Sequence, residues 1–560
     1  MHGSDIRIAR IFNAYGPGMP GSDGRVVSNF ISAAMEDNGT IDITGDGSAV
    51  RCFQYISDCV AGLTRLMESD YLKPMNIGND IPCRIGDLAN MVADLVASTG
   101  SSRPTITYHP KPIDDPIMRQ PDISLAKDVL QWTPSVSLEE GLQRTVSWFY
   151  SISNQDIQAK RDPMTDTTEK THLPKEILVP FSKPFIAETE TSNIRAAMRE
   201  NQLSGGGTFS KRCQETLQQR LGSLSVILTA SGTSALEVAA LTLDIKPGDE
   251  IILPSYTFVS TANAFVLRGA SLVFVDIRPD TMNIDESKIE AAITDRTKVI
   301  VPVHYAGVAC EMDSIMSIAA KHGIVVIEDA AQGILSKYKG RPLGSIGHIG
   351  CMSFHESKNI TSGGQGGAVF INDKSLVARA ELVSEKGTDR IQLLRGKQSS
   401  YHWQCIGSGS DMSEIQAAYL WSQLEALEMI TDKRLSLWCR YHELLQPMSK
   451  QGQIVLPTIP TGVQHNAHIY FVRVRTALER EAAMSFMRRR GIVASAHYKP
   501  LHASAPGTAM GRFIGSDEFT TQESAKLIRL PLFHEMTEEA QNSVVGALRA
   551  FCETKSMARL

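Results

Sequence analysis

The chain has 560 residues, and at roughly 150 residues per domain that is room for three or four domain-sized units with sizeable cores. Hydrophobic residues make up 42% and charged residues 21%, and 56 Lys+Arg against 61 Asp+Glu leave a formal charge of −5, so no basic field for nucleic acid or an anionic membrane is present. The longest apolar runs, such as VIVPVHYAGVAC at 299–310 with His304 inside it, fall short of the ~18 residues a spanning helix needs. Nine cysteines include no CxxC pair, which suits neither a disulfide framework nor a metal site, and MHGSDIRIAR lacks the layout of a secretory signal. The expected place is a reducing cytoplasm.

Residues 1–152 alternate β-rich runs (IRIARIF, GTIDIT) with amphipathic helical runs (VVSNFISAAMED, RIGDLANMVADLVAST, LEEGLQRTVSWFYSI). That is the pattern of an α/β unit, and an incomplete one. Residues 153–176 are polar, carry two prolines and show no helical or strand period, so they read as a linker. From 177 to about 410, short β-branched runs (SVILTA, DEIILP, SLVFVDI, KVIVPVH, IVVIEDA) are each followed by a loop and a helical pattern. This predicts a large, mainly parallel sheet covered on both faces. From 411 to 560 the long helical run MSEIQAAYLWSQLEALEMITDKRLSLWCRYHELLQPM leads into a smaller α+β body containing IYFVRVR and GIVASAHY.

Five motifs fall at strand ends, where open α/β sheets bind ligands. TASGTSALEVAALTL at 229–243 sets Ser231, Gly232, Thr233 and Ser234 where a helix begins, either as a phosphate cradle or as a plain helix cap. PSYTFVSTANAF at 254–265 places Tyr256 and Phe258 just past a strand, to stack on a flat ring or to pack in a core. VVIEDAAQG at 325–333 ends an apolar strand in Glu328 and Asp329, a carboxylate held for a partner or a cap. SFHESKNITSGGQGGAVF at 353–370 carries Ser353 and Lys358 before a glycine-rich turn, and a lysine there can form an imine with an aldehyde. AHYKPLH at 496–502 offers His497 and Tyr498 to a substrate or to a core. In sequence the order is phosphate cradle, aromatic, aspartate, lysine, which is how a chain builds a pyridoxal phosphate (PLP) site. There the lysine holds the aldehyde and moves protons, and the aspartate keeps the pyridine nitrogen protonated.

On these motifs, and on the runs PGDEIILPSYTFVSTANAFVLRGA, FVDIRPDTMNIDESKIEAAITD, VIVPVHYAGVACEMD and IGHIGCMSFHESKN, residues 178–553 resemble the DegT/DnrJ/EryC1/StrS sugar aminotransferases. Within that family they resemble the branch that makes dTDP-4-amino-4,6-dideoxygalactose. The resemblance implies fold type I, PLP as cofactor, Lys358 as its covalent anchor and Asp329 on the ring nitrogen. It also implies Gln332 near the ring hydroxyl, Phe258 on the ring face, and Gly232, Thr233 and Ser353 at the phosphate. It further implies a homodimer that takes L-glutamate and a nucleotide-linked 4-keto-6-deoxyhexose for a surface glycan. Lys358 stands where dehydratases of the same family carry histidine. Two positions depart from the family pattern, Gln365 in place of Glu in the glycine turn and Gly409 in place of Asn before MSE.

Through RIARIFNAYGPGM, GDGSAVRCFQYISDCVAGL, NIGN and RQPDISLAK, residues 1–150 resemble the C-terminal half of extended short-chain dehydrogenases that act on nucleotide sugars, nearest the UDP-glucuronate decarboxylases. That resemblance implies Arg25, Arg51 and Arg119 near a diphosphate or sugar acid. The family's dinucleotide fingerprint and Tyr-x-x-x-Lys are expected ahead of IRIARIFN, and none stands in 1–150, so NAD is not expected. GMPGSDG at 18–24 fits Gly-x-x-Gly-x-x-Gly, but Pro20 has no N–H to give a pyrophosphate. The expected function is sugar transamination. The alternatives are a bifunctional fusion with a decarboxylase-like half, or a non-catalytic protein that binds PLP or nucleotide sugar.

Overall fold

Strand Glu250–Pro254 buries every residue and Ser271–Val275 all but the first, as strands covered on both faces must. In the computed structural model they lie in an eight-stranded sheet ordered 225–229, 367–371, 349–353, 325–329, 297–300, 250–254, 271–275, 511–513. Gly367–Ile371 runs antiparallel to both neighbours and the remaining pairs are parallel, so the sheet is mainly parallel, as the sequence predicts. The described residues are 7–17, 19, 25–35, 39–98, 102–110, 116–158 and 178–557; most of GMPGSDG and of the expected linker lies outside them. The chain divides into two compact units, Met1–Thr168 and Glu169–Leu560.

In the second unit, helices Gly232–Thr242 and Val259–Val266 pack on one face of the sheet with Phe265, Phe274 and Val299. Helix Thr208–Leu221 closes the other face through Phe209, Cys213 and Leu217. Two strands are not followed by the expected helix. After Ser271–Val275 come only single turns, Glu286–Lys288 and Glu290–Ala292. There Asp276 accepts the amides of Ile277, Glu518, Phe519 and Thr520, which ties this stretch to the C-terminal part of the chain in place of a helix. After Val325–Asp329 the chain forms a loop and the short strands Lys337–Tyr338 and Arg341–Pro342, with Lys339 and Gly340 at positive φ between them.

The long helical run after 411 breaks at Ala426 into Glu414–Glu425 and Leu427–Lys450. A capping box of Ser413 and Gln416 starts the first helix. Its Ala417, Ala418, Leu420 and Leu424 join the core under the large sheet, while Leu437, Tyr441 and Leu445 of the second build a separate core with Tyr470, Val472, Ile528 and Leu548. Residues after 411 therefore serve both bodies, and Gly511–Phe513 even supplies the edge strand of the large sheet.

The first unit pairs short strands, Ala9–Ile11 with Met75–Ile77 and Thr40–Thr44 with Thr105–His109, both parallel. Its core gathers Ile31, Ile41, Ile43, Leu88, Val92 and Leu142. Helix Leu138–Gln158 runs on past Ser153, where the sequence suggests the linker begins, because no proline or glycine stops it before Pro163. Among the described residues no helix is long and apolar enough to cross a membrane, and no cluster of three metal-ligating side chains is present.

Candidate active site

The ends of five strands that run in the same sense, together with His468, residues 495–498 and Arg529 of the smaller body, converge on a cavity of about 690 Å³. Gly232, Thr233, Phe258, Asp329, Gln332, Ser353, Lys358, His497 and Tyr498 all line it. The structure thus brings these nine together in one cavity, whereas Ser231, Ser234, Tyr256 and Glu328, which the same motifs also offered, do not line it.

At one end helix Gly232–Thr242 begins. Ser231 caps it by accepting the amide of Ser234, so the hydroxyl is used as a cap and the amides of Gly232 and Thr233 stay without a partner in the helix. A Cβ on Gly232 would stand 2.6 Å from the Cβ of Ser353, so only glycine lets the helix start this close to strand Ile349–Ser353. The hydroxyls of Thr233 and Ser260 lie 2.7 Å apart beside them. Amides, hydroxyls and the positive end of a helix are the donors a phosphate needs.

Asp329 ends strand Val325–Asp329 and is 5% exposed. It accepts from the hydroxyl of Thr261 at 2.7 Å and the amide of Ala331 at 3.1 Å, and Thr257 in turn lies 2.8 Å from Thr261. No lysine or arginine among the described residues pairs with it. A carboxylate buried in this way has room for a cationic ring nitrogen.

Lys358 sits in a loop that the sheet holds tightly. Its amide bonds the carbonyl of His355, and Phe354 and Glu356 bond back to Gly366 and Gly364. Next to it Asn359 donates to the carbonyl of Asn466 at 2.8 Å and meets the ring of His468 at 2.8 Å. Burial lowers Lys358 to about 8, with the Asp329 charge acting against the shift and the Arg529 charge adding to it. An appreciable share of neutral amine therefore stands ready at neutral pH.

Gln332 is held by the amide of Ala306, which donates to its Oε1 at 2.7 Å, and it donates to the Tyr498 hydroxyl at 3.3 Å. Phe258 is 55% exposed at the cavity wall, with its ring 6.3 Å from that of Tyr498. Tyr256, two residues earlier, turns away into the core, where its hydroxyl bonds that of Tyr305 at 3.1 Å, so only the second aromatic of that motif faces the cavity. His497 stacks on Tyr498 at 3.9 Å. Burial, then the Arg529 charge, push its pKa down to about 2, so it stays neutral.

The sequence reading missed Arg529, Thr261, His468 and Phe181, of which all four line the cavity. Arg529 stands between Ile528 and Leu530 on a buried strand, and a lone arginine inside such a run is the signal that marks it. Gln365 lies exposed at the cavity and uses its carbonyl to accept from Gln416 at 3.0 Å, which leaves its side chain out of the turn's hydrogen bonds. A Cβ at Gly409 would meet Lys386 only at ordinary contact distance, so the backbone does not require glycine there.

Arg25, Arg51 and Arg119 belong to the first unit and do not line this cavity. Arg51 and Arg119 are register partners on adjacent parallel strands, and Arg25 precedes helix Val26–Ala34.

Known proteins share the sequence pattern and the fold. The model of the DegT/DnrJ/EryC1/StrS aminotransferase family matches residues 184–549, and that of GDP-mannose 4,6 dehydratase matches residues 1–145. The pleiotropic regulatory protein of Geobacillus stearothermophilus is 34% identical over 346 residues, 62% of this chain and 90% of that protein. The structure of a DegT DnrJ EryC1 StrS aminotransferase from Brucella abortus superposes with a TM-score of 0.59 at 30% identity, over 65% of this chain and 95% of that one. NtdA from Bacillus subtilis, solved with the cofactor PMP bound, superposes with a TM-score of 0.60 at 27% identity, over 71% of this chain and 91% of that one.

Proposed function

The chain belongs to the DegT/DnrJ/EryC1/StrS aminotransferase family, and from that premise we propose that the cavity binds PLP and carries an amino group from L-glutamate to the 4-keto carbon of a nucleotide-linked 6-deoxyhexose. One observation carries this reading. Asp329 and Lys358, neither with an ion-pair partner among the described residues, face one cavity whose far end is the start of helix Gly232–Thr242. That set fits PLP group by group. Gly232, Thr233 and Ser353 suit the phosphate, Asp329 the ring nitrogen, Gln332 the ring hydroxyl, Phe258 the ring face and Lys358 the aldehyde.

Bound PLP supplies an electron sink next to the reacting carbon. The rest falls to the chain's own residues. Asp329, fixed by Thr261 and Ala331, would keep a proton on the ring nitrogen of bound PLP. Lys358 Nζ, whose pKa burial lowers to about 8, would take the proton from the donor's α-carbon and deliver it to the cofactor's former aldehyde carbon on the other side of the amino nitrogen, and would do the reverse when the keto sugar follows. Tyr498 and His497, stacked at 3.9 Å, form one wall of the cavity in which this transfer would take place.

The test is the absorbance of the PLP-loaded protein before and after L-glutamate. A visible band that glutamate bleaches, and that Lys358→Ala never forms, supports the reading; a wild type that forms no band, or one no amino donor changes, overturns it. We further propose a cytoplasmic homodimer working in surface-glycan synthesis, to be checked by sedimentation and fractionation. For the first unit, the adjacency of Arg51 and Arg119 favours a nucleotide-sugar grip, which Arg51→Ala together with Arg119→Ala should weaken in calorimetric titration with a nucleotide sugar.

A further inference from the structure

Resting on the amino-transfer reading, we propose that Arg529 binds the α-carboxylate of the amino donor. Arg529 lies on strand Leu527–Leu530, opposite Phe471, and exchanges both backbone hydrogen bonds with Ser495. The side chain is 8% exposed and lines the cavity. Its guanidinium lies 4.4 Å from the ring centre of Phe181, and Nη1 donates to Nε2 of His497. Nε is buried with no hydrogen-bond partner. No carboxylate among the described residues pairs with this cation.

Other buried arginines of the second unit have stronger acceptors. Arg473, on the neighbouring strand, pairs with Glu523 although its own Nε also lacks a partner, and Arg434 donates to the carbonyls of Ala467 and His468. A buried guanidinium left with one neutral ring as acceptor is costly unless an anion arrives. Charge within the cavity agrees. Lys358 and Arg529 face Asp329 alone, and Asp329 is bound to Thr261 and Ala331.

The cofactor phosphate has its own donors at Gly232 and Thr233, so the missing anion belongs to a substrate. Two substrates share the cavity. In a nucleotide sugar the phosphates are separated from the reacting carbon by the sugar ring, whereas in an amino acid the carboxylate is bonded directly to it. Arg529 bonds His497, His497 stacks on Tyr498, and Tyr498 accepts from Gln332, the residue that suits the ring hydroxyl next to the aldehyde carbon, so the guanidinium stands on the reacting side of the cavity that Lys358 also lines. Its planar fork matches a carboxylate with two parallel hydrogen bonds.

The fork is also preset. His497 can accept from Arg529 only through an unprotonated Nε2, which leaves the proton on Nδ1, 3.3 Å from the Tyr305 hydroxyl, and Tyr305 is bonded to Tyr256. The ring is clamped by Tyr498 as well. Arg529 therefore waits in place, with little left to order on binding.

Two measurements on the PLP-loaded protein test this. Glutarate, which has the carboxylates and no amino group, is titrated calorimetrically, and the bleaching of the visible band is followed with L-glutamate and with n-butylamine. Arg529→Gln is expected to weaken glutarate at least ~30-fold and to slow glutamate at least ~30-fold more than n-butylamine, with Arg529→Lys between. Equal losses for both amines, or none for glutamate, overturn the assignment. A wild type that reacts with no amine overturns the amino-transfer reading itself, whereas a wild type and Arg529→Gln that react alike with glutamate overturn only the role of Arg529.

Discussion

Lys358 feels two charges of opposite sign, and this makes its protonation a readout of the site. Burial first, then Arg529, lower it, and Asp329 raises it, with the balance at about 8 against an ordinary 10.5. Between those values the unfolded chain still binds a proton that the folded chain has released, so this group's contribution to stability rises with pH across that window. Only the neutral amine attacks an aldehyde. The rate at which cofactor-free protein captures PLP is therefore expected to climb to a plateau with a midpoint near 8, as stopped-flow absorbance at a series of pH values will read. Asp329→Asn is expected to move the midpoint down and Arg529→Gln to move it up. A wild-type midpoint near 10.5, or variants that leave it in place, contradicts the electrostatic account.

Gly232 and Glu414 test the account at the level of elements. Gly232→Ala puts a methyl into the Ser353 side chain, so helix Gly232–Thr242 and strand Ile349–Ser353 must part. The expected cost is ~1–3 kcal/mol, with PLP bound about tenfold more weakly, measured by thermal melts and fluorescence titration; unchanged PLP affinity would mean the helix start is no phosphate cradle. Glu414 is 1% exposed and accepts the amides of Gly207, Phe209 and Ser210, so it caps the neighbouring helix Thr208–Leu221 from the start of its own. Glu414→Ala leaves those amides buried and unpaired, and a loss of ~3 kcal/mol in urea unfolding is expected. A loss under ~1 kcal/mol contradicts it. The strands were legible because each is a short buried β-branched run closed by a turn. The break at Ala426 was not, since no proline or glycine marks it; Leu427 and Ile430 still serve the first core, and further along the second helix Leu437 serves the other. Arg529 carried a signal, a lone arginine in the apolar run LIRL, but the run alone does not distinguish an internal ion pair from a cavity wall, and only tertiary packing makes that position part of a cavity.

The molecule joins two units with separate cores, one around Ile31, Leu88 and Leu142, the other around the large sheet. The motifs of the second unit pointed to its chemistry because, in this fold, the groups that suit PLP follow one another at successive strand ends. The arginines of the first unit had only a resemblance to support them. Separate cores predict two transitions in calorimetry, and a ligand that binds one unit raises that transition alone. At 100 times its Kd, PLP should stabilise the second unit by ~2.7 kcal/mol and leave the other transition in place. One merged transition, or two that rise together, contradicts the division. Whether Lys358 holds the cofactor is read by reducing the PLP-loaded protein with borohydride and mapping its peptides by mass. A pyridoxyl phosphate label is expected on the peptide bearing Lys358 and on no other; a label on a different lysine, or none, contradicts the assignment.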